Sequence, residues 1–285
     1  MTPSQAPKAP INFASPAPPP ANTNRSTYGN ASIKQPASES TAEAWAFGEG
    51  IAERLVVAEQ IDTVLVEQYR RLAASLHHAQ TKREIRTVMV VSAVPAEGKT
   101  LTATNVALTL SLSYQRRVLL IDADLRRPTL HTLFNVPNGE GLTSSLVDPH
   151  VTRLPVRQVH TNLWLLVAGP RDPNPTSLLT SDAMQQLLKE AAAQFDFVVI
   201  DTPPVALMPD ANLLAAMIDA AILVINAGVT PYPVVQKAVT AVGASRILGT
   251  VLNRAERSAA ADEFDYYGYY GDAVPETKRR RFALR

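Results

Sequence analysis

The sequence predicts an α/β fold in which a mostly parallel β-sheet carries helices on both faces. Six short apolar runs lack polar alternation, and most of them are followed by a segment with helical periodicity. Strands that are apolar on both sides belong to sheets covered on both faces, and strand–helix alternation is typical of parallel sheets. The predicted strands cover residues 87–92, 118–121, 163–167, 197–200, 221–225 and 247–252.

Four helices are predicted from the spacing of apolar residues. They cover residues 51–80, 98–113, 182–194 and 234–242. In the first of them an apolar stripe recurs at three- and four-residue spacing, as expected for one buried helix face. That stripe consists of Ile61, Leu65, Tyr69, Leu72 and Leu76.

The chain divides by composition into four parts. Residues 1–45 are rich in Pro, Ala, Ser and Thr and are expected to form a disordered arm. Residues 46–84 form a helical linker or oligomerisation segment, residues 85–254 the core domain, and residues 255–285 a tail with a tyrosine cluster and a basic run. The net charge of +1 argues against a globally basic nucleic-acid binder, and the absence of cysteine excludes disulfides and thiolate metal sites.

A phosphate-binding loop is predicted between the first strand of the sheet and the helix that follows. Residues 93–100 (AVPAEGKT) have the spacing of a P-loop, with Ala93 in place of the first glycine. Backbone N–H groups and the dipole at the start of a helix attract phosphate, Lys99 can reach the β- and γ-phosphates, and Thr100 can offer its hydroxyl to Mg²⁺. The alternative is a plain strand–turn–helix corner. The predicted nucleotide contacts are Pro95, Ala96, Glu97, Gly98, Lys99, Thr100 and Leu101.

Three carboxylates are expected near this loop. Asp122 and Asp124 follow the second strand, and Asp201 follows the fourth. Because the carboxyl ends of parallel strands share one edge of the sheet, these acids would repel one another unless a cation lies between them. Mg²⁺ bound to nucleotide phosphates would relieve the repulsion. The predicted metal site consists of Thr100, Asp122 and Asp201, and the predicted catalytic set of Lys99, Asp122, Asp124 and Asp201.

These motifs resemble those of the bacterial protein-tyrosine kinases, the cytoplasmic autokinases of capsule and exopolysaccharide export. The matching stretches are residues 92–100 (SAVPAEGKT), 119–128 (LLIDADLRRP) and 197–204 (FVVIDTPP), which correspond to the Walker A, Walker A′ and Walker B motifs of that family. The second stretch is the most specific, because ordinary P-loop ATPases lack its two arginines and proline. The resemblance covers roughly residues 67–253 and implies a P-loop NTPase-type kinase core.

The resemblance implies a role for each matched position. Phosphate would pass from Mg-ATP to tyrosine, with Asp122 and Asp124 serving Mg²⁺ and helping to activate the tyrosine hydroxyl. Asp201 would order the water shell of the metal, and Asn253 would contact the base. The acceptors would be the tail tyrosines of a neighbouring subunit in a ring. They are Tyr266, Tyr267, Tyr269 and Tyr270.

The resemblance also implies partners for the chain. Glu67 and Arg70 match the first two positions of the family's oligomerisation helix, where Ala73 replaces a second arginine. A separate membrane protein, the chain-length regulator of polysaccharide export, would activate the kinase and hold it peripherally at the inner face of the plasma membrane. At Ala96 the family usually has glycine, and a positive φ there would cost about 1–2 kcal/mol. No nucleic-acid partner is expected.

Two alternatives stay open at the level of sequence. A MinD/ParA-like ATPase switch shares the sheet and the Walker motifs, but it carries a second lysine where this chain has Val94. A family member that binds nucleotide without kinase activity is compatible with Ala96 and Ala73. ATP turnover without phosphotyrosine would favour the switch, and nucleotide binding without either activity would favour the inactive member.

Overall fold

The computed structural model describes residues 47, 52–58, 60–148, 154–208 and 211–255, which include a seven-stranded sheet. Its order is β3-β4-β2-β5-β1-β6-β7, and every neighbouring pair is parallel except β3 with β4. The α/β prediction is confirmed, while the predicted arm and most of the predicted tail lie outside the described residues. The strands are β1 Thr87–Ser92, β2 Val118–Asp122, β3 Arg157–His160, β4 Leu163–Leu166, β5 Phe197–Asp201, β6 Ala220–Asn226 and β7 Ile247–Asn253.

Helices cover both faces of the sheet, as predicted. The first three pack on one face and the others on the opposite face. The α-helices are α1 Thr63–Arg83, α2 Lys99–Ser113, α3 Leu130–Leu133, α4 Leu142–Val147, α5 Pro175–Leu179, α6 Asp182–Gln194, α7 Ala211–Ala216 and α8 Tyr232–Val242. Short 3-10 helices occur at Ala52–Arg54, Val205–Leu207 and Ala244–Arg246.

The central strands are apolar because both of their faces are buried. In β1, Met89 and Val91 belong to the core beneath α4–α8, whereas Val88 and Val90 belong to the core beneath α1–α3. β1, β5 and β2 lie side by side in the middle of the sheet. Their carboxyl ends therefore meet at one edge, where the P-loop and the three predicted acids lie.

The first predicted helix begins too early. α1 starts at Thr63, and its N-cap is Asp62, whose carboxylate accepts a hydrogen bond of 2.9 Å from the N–H of Val64. Ile61 therefore precedes the helix, and Leu65 is exposed. Half of the buried residues of α1 are alanines, which allow the helix to pack closely on its neighbours. The predicted stripe contained only large apolar residues and therefore omitted them. The buried residues of α1 are Tyr69, Ala73, Leu76 and Ala79.

Strand β3 was absent from the prediction. It is a polar edge strand, antiparallel to β4, in which Arg157 and Gln158 are exposed while Val159 and His160 are buried. With one aliphatic residue in four, such a strand gives no apolar run for a sequence pattern to detect.

The helical segment before the sheet packs directly on the core domain. Tyr69 and Leu76 of α1 share a hydrophobic core with Val88 of β1. The boundary near residue 84 stays a prediction. Within the described ranges, no helix is both long and apolar enough to cross a membrane.

Candidate active site

The P-loop connects β1 to α2 through two residues in the left-handed region. Ala96 has a φ of +65° and Gly98 a φ of +94°. A Cβ at Gly98 would lie 2.1 Å from the side-chain nitrogen of Asn253, so only glycine fits there. Asn253 donates a hydrogen bond of 2.8 Å from that nitrogen to the carbonyl oxygen of Glu97. This hydrogen bond connects the end of β7 to the P-loop.

The side chain of Glu97 points into the protein rather than into the cleft. It is 1% exposed, and Oε2 accepts a hydrogen bond of 2.8 Å from the N–H of Val94. Oε1 accepts hydrogen bonds from the N–H of Asn226 at 3.2 Å and from the hydroxyl of Thr230. Glu97 therefore braces the loop against the segment after β6, and a phosphate would meet only its backbone N–H.

Lys99 is the cation that lies among the acids. Its Nζ is 3.3 Å from Oδ2 of Asp124 and 3.3 Å from Oδ1 of Asp201, and it donates to the hydroxyl of Thr100 at 3.2 Å. Burial lowers the pKa of Lys99, but the charges of Asp201 and Asp124 outweigh burial, so the pKa is raised. The ammonium is therefore charged and positioned at the mouth of the P-loop.

The carboxylate of Asp122 accepts hydrogen bonds from the backbone that follows β2. Asp122 lies opposite Asp201 in the β2–β5 register. Oδ1 accepts a hydrogen bond from the N–H of Asp124, and Oδ2 accepts bonds of 3.1 and 3.0 Å from the N–H groups of Thr129 and Leu130. Burial and the charge of Asp201 raise the pKa of Asp122 to about 8, despite these donors. The predicted metal and catalytic roles of Asp122 stay predictions.

Asp201 and Thr100 fit a hydrated magnesium ion. Asp201 is fully buried, burial raises its pKa, and its Oδ2 has no hydrogen-bond partner among the described residues. A buried oxygen without a partner is a position where a metal-bound water can donate. The described residues contain no group of three or more His, Asp or Glu side chains that could hold a metal by themselves. Mg²⁺ keeps several waters and takes its other ligands from phosphates and one or two protein groups, a role for which Thr100 and Asp201 have the right oxygen atoms.

A cleft of about 1380 Å³ opens above these residues. Asp124 reaches its surface, whereas Asp122 and Asp201 lie beneath it. The cleft therefore brings together most of the predicted nucleotide contacts with one of the three predicted acids, Asp124. The predicted residues that line it are Pro95, Ala96, Gly98, Lys99, Thr100, Leu101, Asp124 and Asn253.

One wall of the cleft was missed by the sequence analysis. The segment before α1 packs through the buried Leu55, and Asn105 of α2 fixes it. Oδ1 of Asn105 accepts a hydrogen bond of 2.9 Å from the N–H of Val56, and its Nδ2 donates to the carbonyl of Arg54 at 3.1 Å. The signal in the sequence was Asn105, an amide side chain in the largely apolar stretch of α2. A buried amide needs hydrogen-bond partners, and these can lie outside its own helix.

Comparison with known proteins identifies the family. A scan against protein-family models gives no match. The chain is 39% identical over 208 residues to tyrosine-protein kinase YwqD of Bacillus subtilis strain 168, across 72% of this chain and 86% of that protein. The chain belongs to the bacterial tyrosine-protein kinase family. The predicted resemblance is thus confirmed.

Solved structures of tyrosine-kinase family members support the same fold. The chimerical protein CapA2B2 superposes with a TM-score of 0.65 at 31% identity, over 72% of this chain and 91% of that one. The kinase domain of Escherichia coli tyrosine kinase ETK gives a TM-score of 0.61 at 31% identity, over 68% of this chain and 78% of that one.

The predicted oligomerisation residues Glu67 and Arg70 are not among the residues that line the cleft. On α1, Nη1 of Arg70 is 3.7 Å from Oε2 of Glu67, and Nε of Arg71 is 4.0 Å from Oε1. Arg70 is exposed, Glu67 is half-buried and Ala73 is buried. A role of Glu67 and Arg70 in oligomerisation of this tyrosine-kinase family member stays a prediction. The predicted acceptors Tyr266, Tyr267, Tyr269 and Tyr270 lie outside the described residues.

Ala96→Gly is expected to stabilise the protein. Ala96 has the positive φ that the sequence analysis considered, which costs an L-residue about 1–2 kcal/mol. Glycine removes that strain but gains entropy in the unfolded chain, so a net increase of about 0.5–1 kcal/mol in the free energy of unfolding is expected. Urea denaturation of the nucleotide-free proteins measures it. The matched control is Ala123→Gly, which lacks the positive φ and should destabilise; an Ala96→Gly variant less stable than wild type contradicts the expectation.

Proposed function

We propose that this chain is an ATP-dependent protein-tyrosine autokinase that regulates the synthesis and export of capsular or extracellular polysaccharide. The observation that carries the proposal is the position of Lys99, held between Asp124 and Asp201 at the P-loop of a tyrosine-kinase family member. A charged lysine at this point can exchange its carboxylate partners for the phosphates of a nucleotide.

ATP would bind with its phosphates at the start of α2. The loop N–H groups and the helix dipole would hold them, and Asn253 would contact the base. Mg²⁺ would be held by Thr100 and Asp201, with Asp122 beside them, and would supply positive charge to the phosphate oxygens. The free Oδ2 of Asp201 supports this assignment.

The reaction would be an in-line phosphoryl transfer. The tyrosine oxygen bonds to the γ-phosphorus while the bond from that phosphorus to the β–γ bridging oxygen breaks, and ADP leaves. The phenolic proton passes to Asp124, because Asp124 is the one carboxylate of the three that lines the cleft. Lys99 offsets the charge on the transferred group, so positioning and electrostatics carry the catalysis.

The regulatory setting is part of the same proposal. A membrane chain-length regulator on a separate chain would activate the kinase, which would then act in the cytoplasm, peripheral to the inner face of the plasma membrane. Copies of the chain would form a ring through α1, and the exposed Arg70 with the half-buried Glu67 beside it supports that assignment. Membership of the tyrosine-kinase family supports the proposed activator and the proposed location at the membrane.

A family member that binds nucleotide without kinase activity is the second candidate. The positive φ of Ala96 favours it, because a strained P-loop can bind nucleotide without aligning the γ-phosphoryl group for transfer. Nucleotide binding without ATP hydrolysis or phosphotyrosine is its expected signature, whereas ATP hydrolysis without phosphotyrosine would indicate an ATPase switch.

Phosphate mapping by mass spectrometry tests the proposed function. Wild type incubated with Mg-ATP is expected to carry phosphate on Tyr266, Tyr267, Tyr269 or Tyr270. Asp124→Asn is expected to form it at least about 10²-fold more slowly, since loss of a general base costs about that much.

Two results would count against parts of the proposal. If Asp124→Asn labels itself at the wild-type rate, Asp124 has no role in accepting the proton. If wild type hydrolyses ATP but carries no phosphotyrosine, even with the cytoplasmic segment of a chain-length regulator present, the chain acts as an ATPase switch and not as a tyrosine kinase.

A further inference from the structure

Four exposed arginines line the active-site cleft. They come from three separate places: Arg54 from the 3-10 helix before α1, Arg126 and Arg127 from the loop after β2, and Arg254 from the end of β7. We call these four residues the arginine rim. None of them forms an ion pair within the described part of the chain, and Arg126 donates only a 3.3 Å hydrogen bond to the hydroxyl of Thr176.

The backbone of the rim is fixed close to the reacting groups. The N–H of Arg127 donates at 3.1 Å to both Oδ1 and the carbonyl of Asp124. The N–H of Arg254 donates at 3.0 Å to Oδ1 of Asn253, and Arg254 adopts a left-handed conformation with a φ of +57°. Arg127 therefore adjoins the carboxylate that we assign to the tyrosine hydroxyl, and the other rim arginines line the same cleft.

The rim gives the cleft an excess of positive charge. With Lys99 it supplies five cationic side chains, against the two carboxylates of Glu53 and Asp124. Lys99 and the P-loop amides are the groups that face a nucleotide's phosphates, so the rim is left for another anionic partner. Exposed guanidinium groups pair with carboxylates through two parallel hydrogen bonds.

The predicted acceptor segment has the complementary charge. Residues 262–272 (DEFDYYGYYGD) carry four acidic residues, four tyrosines and no basic residue. Tyr266 is twelve residues beyond Arg254, a span of up to about 40 Å when extended. The segment therefore begins close enough to reach a cleft of its own chain, and a second copy would present the same charges.

We propose that the arginine rim selects acceptor tyrosines by the carboxylates that flank them, and that its occupant is the acidic tyrosine segment of residues 262–272. This inference rests on the proposed function and names its substrate class, an acidic tyrosine-bearing peptide. The rim arginines are specificity residues. They act on binding of the acceptor, and Lys99 and Asp124 act on the transfer.

Peptide binding tests the proposal apart from catalysis. The receptor is the full chain with Asp262→Asn, Glu263→Gln, Asp265→Asn and Asp272→Asn, which removes the competing acidic charges. In Mg-ADP, fluorescence anisotropy compares a labelled peptide of residues 262–272 with the same peptide carrying those four amides. The acidic peptide is expected to bind about 10-fold more tightly, with an advantage that falls as salt rises.

Paired rim and control variants locate the effect. Arg126→Gln combined with Arg127→Gln is expected to remove the preference for the acidic peptide, and Arg254→Gln alone to reduce it. Lys189→Gln combined with Lys237→Gln makes the same change in net charge on exposed positions of α6 and α8 and should leave the preference intact. The melting temperature and ADP affinity of each variant confirm that fold and nucleotide site are preserved.

The outcomes separate this inference from the proposed function. Equal binding of the two peptides, or a preference that survives in all rim variants, overturns the inference. In a parallel assay with Mg-ATP, equal phosphorylation of both peptides also overturns the inference while the proposed function stands. Rim-dependent binding of a peptide that never receives phosphate, even with the cytoplasmic segment of a chain-length regulator present, supports the rim as an acidic-peptide site and overturns the proposed kinase activity.

Discussion

Lys99→Met is expected to lower the rate of phosphotyrosine formation at least about 10³-fold, because it removes the preorganised cation nearest the transferred phosphoryl group. Methionine has a similar length and suits the enclosed position of Lys99, so the change isolates the charge. Phosphate incorporation, measured by mass spectrometry with Mg-ATP, gives the rate. A residual rate near that of wild type would exclude Lys99 from the transfer step.

The same variant should change how stability depends on pH. The pKa of Asp122 is about 8 in the folded protein and near 4 in an unfolded chain. Between these values the folded state keeps a proton that the unfolded state has lost, so stability falls as pH rises across that window. Burial already raises the pKa of Asp201 against the charge of Lys99, so removing that charge raises it further and makes stability fall more steeply with pH.

Thermal melting across the same pH window measures the effect. The melting temperature of Lys99→Met is expected to drop more steeply with rising pH than that of wild type. The matched control is Lys189→Met, at an exposed position on α6, which should follow the wild-type profile. Parallel profiles for Lys99→Met and wild type would show that the charge of Lys99 does not lower the pKa of Asp201.

The central strands and the P-loop could be predicted from sequence because short, regular residue patterns encode them. Val88 to Val91 are buried on both faces of β1, so they form an uninterrupted apolar run. Asp122 and Asp201 end adjacent strands, and the parallel topology alone brings them together. Gly98, Lys99 and Thr100 follow from the short motif between a strand and a helix.

Two features of the site that escaped prediction depend on single long-range contacts. Asn105 forms hydrogen bonds with Val56 and Arg54, which lie 49 and 51 residues earlier in the chain. No periodic pattern in the sequence encodes these contacts. Glu97 belongs to a predicted nucleotide-binding motif, yet its carboxylate turns inward to bonds 129 and 133 residues away. Sequence spacing places a residue on a loop but does not give the direction of its side chain.

The inward direction of Glu97 gives a large expected effect on stability. Glu97→Ala would leave the N–H groups of Val94 and Asn226 and the hydroxyl of Thr230 without their acceptor. Hydrogen bonds to a charged group contribute about 1.5–3 kcal/mol each, but the three donors are half-buried and water can replace part of what they lose, so a loss of about 2–3 kcal/mol in the free energy of unfolding is expected. Urea denaturation of the nucleotide-free protein measures this loss.

Two matched variants separate the lost hydrogen bonds from the lost charge. Glu97→Gln keeps the volume and one acceptor oxygen but turns an amide toward a donor, so its stability should fall between those of Glu97→Ala and wild type. Glu140→Ala removes an exposed carboxylate and should leave the stability unchanged. Because the brace fixes the loop whose backbone would hold phosphate, ADP affinity by calorimetry should fall in the same order as stability. If Glu97→Ala unfolds at the wild-type urea concentration, the loop does not depend on the brace, and its shape must come from Gly98 and Asn253 alone.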